Sequence, residues 1–187
     1  MKTMISHKIS LLLLAVFFIL PISLWSQEIK LSRQDKKEAR KAMLAENYRI
    51  LDSLITGRKF VLEADFLQNQ MGDRIAVASR INFIKINGES GILQTGNDFR
   101  TGYNGVGGVT AEGIVSSWKV TRDKRSLTHK VSFNIQTKLG TYNVFLTVNP
   151  ENRATAEISG SRSGRLTWDG HLLTIDNSKV FKGMETF

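Results

Sequence analysis

Tyr103-Asn104-Gly105-Val106-Gly107-Gly108-Val109-Thr110-Ala111-Glu112-Gly113 is the stretch on which the choice of fold class turns. A glycine-rich loop between a strand and a helix binds phosphate, because amides at the helix N-terminus point at the anion. The same kind of loop between two strands is a bend in a sheet. Here the residues favour the bend. Gly105, Gly107 and Gly108 do not complete the dinucleotide pattern, since Thr110 or Ala111 stands where its last glycine belongs. Gly108 and Gly113 have the spacing of a Walker loop, but Ile114 follows where lysine is required. Ile114, Ser116, Trp118 and Val120 then alternate with Val115, Ser117, Lys119 and Thr121, which is the period of a strand. A loop of this length can also rim or cover a pocket. In that version Tyr103, Asn104 and Glu112 are the candidate ligand-binding residues, and Gly105, Gly107, Gly108 and Gly113 shape the loop.

Beyond the stretch the chain reads as strands joined by turns. Val131, Phe133 and Ile135 alternate with Ser132, Asn134 and Gln136, the clearest half-buried strand. Tyr142, Val144, Leu146 and Val148 follow, then a turn at Asn149-Pro150-Glu151-Asn152. Ala154, Ala156 and Ile158 share the next inward face, and Gly160 to Gly164 is a turn. Leu166 and Trp168 precede Asp169-Gly170, a hairpin signal, and Leu172 to Ile175 is the last strand. Val180 and Phe181 are the docking point of the tail.

Before the stretch, Phe60, Leu62, Ala64 and Phe66 share one strand face, with Glu63 and Asp65 on the other. Arg74 to Val77 is a short strand, and Ile81–Ile86 and Ile92–Thr95 form a hairpin around Asn87-Gly88. Upstream, Gln27 to Gly57 reads as one long helix. Ser32 is its N-cap, Asp35 the capping-box partner and Gly57 the C-cap. Ala39, Ala42, Met43, Tyr48, Ile50, Leu51, Leu54 and Ile55 give its apolar stripe. Its first half is basic and solvated. Residues 1–26 have the pattern of a secretory signal peptide: Lys2 and Lys8, an apolar run from Ile9 to Leu20, then Pro21. The apolar run is shorter than the ~20 residues that a spanning helix needs.

The expected fold is therefore mainly β, an antiparallel sandwich or barrel of nine or ten short strands with one long N-terminal helix. Residues 27–57 form the helix and 58–187 the β part, as one domain. Phe60, Leu62, Phe83, Trp118, Phe133, Ile135, Val144, Leu146 and Leu166 are the expected core.

Of the 187 residues none is cysteine, which excludes disulfides and thiolate metal sites. The formal net charge is +9; without Lys2 and Lys8, 24 basic residues face 17 acidic ones, or +7. The basic residues are spread out and the leader implies export, so the partner they fit is an anionic envelope component rather than nucleic acid. After the leader the histidines are His129 and His171, without metal-ligand spacing, and each reads as an exposed strand or turn residue. Gly160-Ser161-Arg162-Ser163-Gly164 has arginine where a nucleophile elbow needs serine. Glu63 and Asp65 are the acids a hydrolase could use, though two acids on a solvent face explain them as well. No cofactor or metal is expected.

Phe60-Val61-Leu62-Glu63-Ala64-Asp65, Asn82-Phe83-Ile84, Gln94-Thr95-Gly96, the stretch Asn104 to Gly113, Gly140-Thr141-Tyr142, Ala154-Thr155-Ala156 and Gly164-Arg165-Leu166 together resemble domain of unknown function family 4251. The resemblance implies a single domain exported to the periplasm or envelope of a Gram-negative bacterium, and implies no activity. The expected function is a non-catalytic, exported β-rich protein that binds a small ligand or an envelope component. The alternatives are a hydrolase using carboxylates, and an assembly protein that docks through its helix.

Overall fold

The structure, a computed structural model, describes residues 32–99, 101–102, 104–160 and 164–186. The leader and Tyr103 lie outside these described residues. The chain forms two compact units, Met1–Ala39 and Arg40–Phe187. The described part of the first opens the helix α1 (Arg33–Thr56). Its N-terminus is the expected capping box: the Asp35 amide donates to Ser32 Oγ at 3.1 Å, and the Ser32 amide donates to Asp35 Oδ2 at 3.0 Å.

The second unit carries nine strands among the described residues: β1 (Lys59–Gln68), β2 (Arg74–Ala76), β3 (Phe83–Asn87), β4 (Ser90–Gln94), β5 (Thr110–Asp123), β6 (Thr128–Thr137), β7 (Gly140–Val148), β8 (Ala154–Ser159) and β9 (Arg165–Leu173). All neighbours are antiparallel. β1 pairs with β3 on one edge and with β9 on the other, so eight strands close into a barrel. β2 is an addition that pairs only with the far end of β1, Phe66 opposite Ala76. Closure removes the free sheet edges that a sandwich would have had to protect.

Alternation supplies the barrel's filling. Val131, Phe133 and Ile135 of β6, Val144, Leu146 and Val148 of β7, and Ala154, Ala156 and Ile158 of β8 all belong to one buried core. Phe133 lies opposite Val144, and Val144 opposite Ile158, so the three strands present one continuous apolar inner face.

Two bulges break the simple period. In β5 the register slips between Ser116 and Lys119, and Ser117 has φ +56°. Val115 points inward before the slip, Trp118 and Val120 pack on the core after it, and Ile114 is left 63% exposed. In β1 the slip falls between Ala64 and Phe66. Leu67 turns inward in place of Phe66, and the Arg74 guanidinium lies 4.0 Å over the outward Phe66 ring. Such bulges bend a strand around a barrel corner. The Asp169-Gly170 pair is not a hairpin, because β9 runs straight through it. A Cβ on Gly170 would lie 1.9 Å from the Glu63 carbonyl oxygen, so the glycine allows β1 and β9 to approach closely.

The part of α1 that belongs to this unit covers the end of the barrel at which β1 starts. Leu51 and Ile55 join the core; Leu44, Asn47, Tyr48 and Leu54 complete the covered face, while Met43 and Ile50 point to solvent. Asp52 accepts from Arg122 Nε at 2.5 Å and bonds His129 Nε2 at 3.0 Å. Tyr48 stacks on the His129 ring, 4.4 Å between centroids. The left-handed residue after the helix is Arg58 (φ +50°) rather than Gly57.

The C-terminal segment lies on the outer face. Ile175 and Val180 cover Val61, Phe83 and Ile92, so Phe83 is buried outside the barrel rather than within it. Gln94 ties the segment down with a complete set of bonds. Its Nε2 donates to the Ile81 and Phe181 carbonyls, and its Oε1 accepts from Thr110 Oγ1 and the Gly183 amide.

Candidate functional site

At the barrel end opposite α1 no helix among the described residues covers the mouth. A cavity of about 670 Å³ opens there. Its wall comes from Leu93 of β4, Tyr142 of β7, Ile158 of β8, and Leu166 and Trp168 of β9. The turns at Asn69–Met71 and Leu139, together with Val109 and Thr186, form the rim. Leu166 and Trp168 stand on the same inward face of β9, two residues apart. Leu166 is 39% exposed at the mouth, while Trp168 is 0% exposed one layer deeper. Ala156 lies opposite Trp168, and so small a neighbour leaves room for the indole.

The chemistry of the wall is apolar. Among the described lining residues there is no carboxylate, histidine or lysine. Arg165 is the charged one, and it is exposed on the rim and paired with Glu157 at 3.2 Å. Asn69 is occupied by its own turn, accepting from the Met71 and Asp73 amides and donating to Asp73 Oδ2. Trp168 Nε1 is buried without a hydrogen-bond partner.

The structure places the glycine stretch between the cavity and the C-terminal segment. Val109 reaches the rim, and Asn104–Gly108 and Thr110–Gly113 do not line this cavity. Asn104 is buried: its Oδ1 accepts from the Val106 and Gly108 amides, and its Nδ2 donates to Thr110 Oγ1 and the Thr95 carbonyl. Its own carbonyl accepts from the Met184 amide. Glu112 pairs with Lys182 of the C-terminal segment. Gly105 and Gly107 have φ +74° and +76°, and Gly108 is packed against the Thr95 carbonyl. Gly113 sits inside β5 opposite Thr137. Asn104 and Glu112 are thus engaged within the chain, and neither lines the 670 Å³ cavity.

The acids and histidines lie elsewhere. Glu63 accepts from Ser178 Oγ at 2.7 Å under the C-terminal segment, and Asp65 faces His171 Nδ1 at 3.4 Å. His129 is not an exposed residue but a fully buried one, held by Asp52 and Tyr48. Among the described residues no group of three potential metal ligands gathers. A second cavity, about 500 Å³, lies on the outer surface between Arg80, Phe99 and Phe181.

Sequence reasoning missed the mouth. Leu166 was expected in the core, and its exposure is the mark of an unfilled barrel end. The available signal was apolar residues in turns, Met71 and Leu139, where polar ones are usual.

Comparison with known proteins agrees with this architecture. No curated protein matches the chain. A crystal structure of a DUF4251 family protein from Bacteroides eggerthii is similar, with 35% sequence identity and a TM-score of 0.62. The match covers 73% of this chain and 93% of that one. The family model for the domain of unknown function DUF4251 matches residues 42–172. That span runs from within α1 to the end of β9, and the chain belongs to the DUF4251 family.

Proposed function

We propose that this is an exported, non-catalytic β-barrel protein that holds a small apolar ligand in the open mouth of its barrel. The observation that carries the reading is the cavity of about 670 Å³ above Trp168, walled by Leu93, Tyr142, Ile158 and Leu166. That volume falls in the roughly 300–1,000 Å³ range of small-molecule sites. An eight-stranded barrel is just wide enough to be filled by side chains or to hold one small ligand. Here the helix end is filled and the mouth is not.

Hydrolysis has less support. Glu63 and Asp65 lie outside the cavity, and the described lining offers no general base. Export to the periplasm or envelope is supported by the leader pattern of residues 1–26, and the +7 balance of the remainder suits anionic surroundings. No helix among the described residues is long and apolar enough to cross a membrane.

The test is to purify the protein from its native envelope fraction and identify by mass spectrometry what an organic solvent extracts from it. A neutral, apolar small molecule near one per chain is expected. Leu166→Glu, which puts a charge in the mouth at an already exposed position, should lose it. Equal recovery from both proteins would contradict the proposal.

A further inference from the structure

The second cavity, about 500 Å³ on the outer surface, is built differently from the mouth. Buried Ile81 and Val106 form its floor. Backbone bonds hold its walls: the Asn97 amide donates to the Val106 carbonyl at 2.7 Å, and the Phe181 amide to the Arg80 carbonyl at 2.8 Å. Phe99 and Phe181 line it while 94% and 60% exposed. Among the described residues neither ring stacks on another ring or carries a cation. Arg80 and Lys179 line it too, both exposed, and neither has an ion-pair partner among the described residues. Asp98 is the acid of the described lining, and it is exposed as well. In the mouth, by contrast, the charged residue of the described lining is Arg165, already paired with Glu157.

We propose that this outer groove is a second site, for a small amphiphilic anion: one acid group carried on a planar apolar body. Arg80 and Lys179 take the acid group, and Phe99 and Phe181 cover the apolar body. Two phenylalanines left in water on a held surface mark a place where bound apolar area is favourable. An exposed ion pair by itself is weak, so a bare inorganic anion is held poorly. The described charges of the lining are two cations against Asp98, or +1, which matches one acid group and not a polyanion. A neutral apolar molecule leaves both cations unmatched. The inference stands independently of what the mouth holds.

The test titrates the 15N-labelled protein with 8-anilinonaphthalene-1-sulfonate, with N-phenyl-1-naphthylamine, which is the same molecule without the sulfonate, and with inorganic sulfate. The sulfonate probe should give saturable shifts at the amides of Arg80, Asn97, Phe99, Val106 and Phe181. At the same concentration neither of the others should. Arg80→Gln combined with Lys179→Gln should weaken the sulfonate probe about fivefold, the effect of two exposed charge contacts. Phe99→Ala should weaken it as well, through the lost aromatic face. All three positions are exposed, so the variants should keep the wild-type spectrum away from the groove. Sulfonate shifts confined to the mouth, or no saturable shifts, would overturn the inference. So would an unchanged affinity in the Arg80→Gln, Lys179→Gln variant, or groove shifts of equal affinity with the neutral probe or with sulfate alone.

Discussion

Phe133 shows at the scale of one residue what alternation alone can establish. Its strand reads inward at every second position, and the ring is buried against Trp118, 4.8 Å between centroids. Phe133→Ala should cost about 3–5 kcal/mol in equilibrium denaturation, as removal of a buried aromatic side chain does. A cost under ~1 kcal/mol, typical of surface sites, would place it outside the core. His129 was open to the same reasoning but was read by its residue type. It stands on the same inward face of β6 as Val131 and Phe133, and Asp52 and Tyr48 of α1 hold its ring there. Burial pulls its pKa below the ordinary 6.5, partly offset by the Asp52 carboxylate. Burial also tends to raise Asp52, but hydrogen bonds from Arg122 and His129 outweigh that and leave it below its ordinary 3.8. Both shifts have one sign: the unfolded chain binds protons more readily than the folded one. Stability should therefore fall as pH drops through the histidine range, and fall further through the carboxylate range. His129→Phe keeps a ring against Tyr48 and should flatten the melting-temperature profile between about pH 7 and 5. An unchanged slope would assign that titration to another group.

At the scale of elements, the strands β6, β7 and β8 were legible because nothing interrupts their period. β1 and β5 were legible only up to their bulges. A period-2 reading cannot see an inserted residue, so it placed Phe66 and Ile114 inward when the slip turns them out. The glycine stretch was legible as a bend, and its cause is now particular. Gly108 packs so closely on the Thr95 carbonyl that a Cβ would lie 2.2 Å from the oxygen, whereas Gly105 has open space and only its φ of +74° to satisfy. Gly105→Ala should therefore cost ~1 kcal/mol through backbone strain, and Gly108→Ala distinctly more, since strand β4 or the loop must move. Thermal melts of the two variants decide it. Wild-type stability in Gly108→Ala would mean that the stretch is not held against β4.

Within the Arg40–Phe187 unit the barrel is closed at one end by the α1 residues that belong to it and, among the described residues, open at the other. Its closure was half legible. Strand count and turn spacing allowed a sandwich or a barrel, and only the β1–β9 ladder distinguishes them. The mouth was not legible, because its wall brings together Leu93, Tyr142, Ile158 and Trp168 from four strands spread over the chain. No local pattern marks a place where packing stops. The most direct measurement is a 15N–1H correlation spectrum of the labelled protein titrated with N-phenyl-1-naphthylamine, a neutral apolar probe. The account predicts saturable shifts at the amides of Leu93, Tyr142, Ile158, Leu166 and Trp168, with α1 unmoved. Shifts centred instead on Arg80, Phe99 and Phe181 in the outer groove, or no saturable shifts at all, would contradict it.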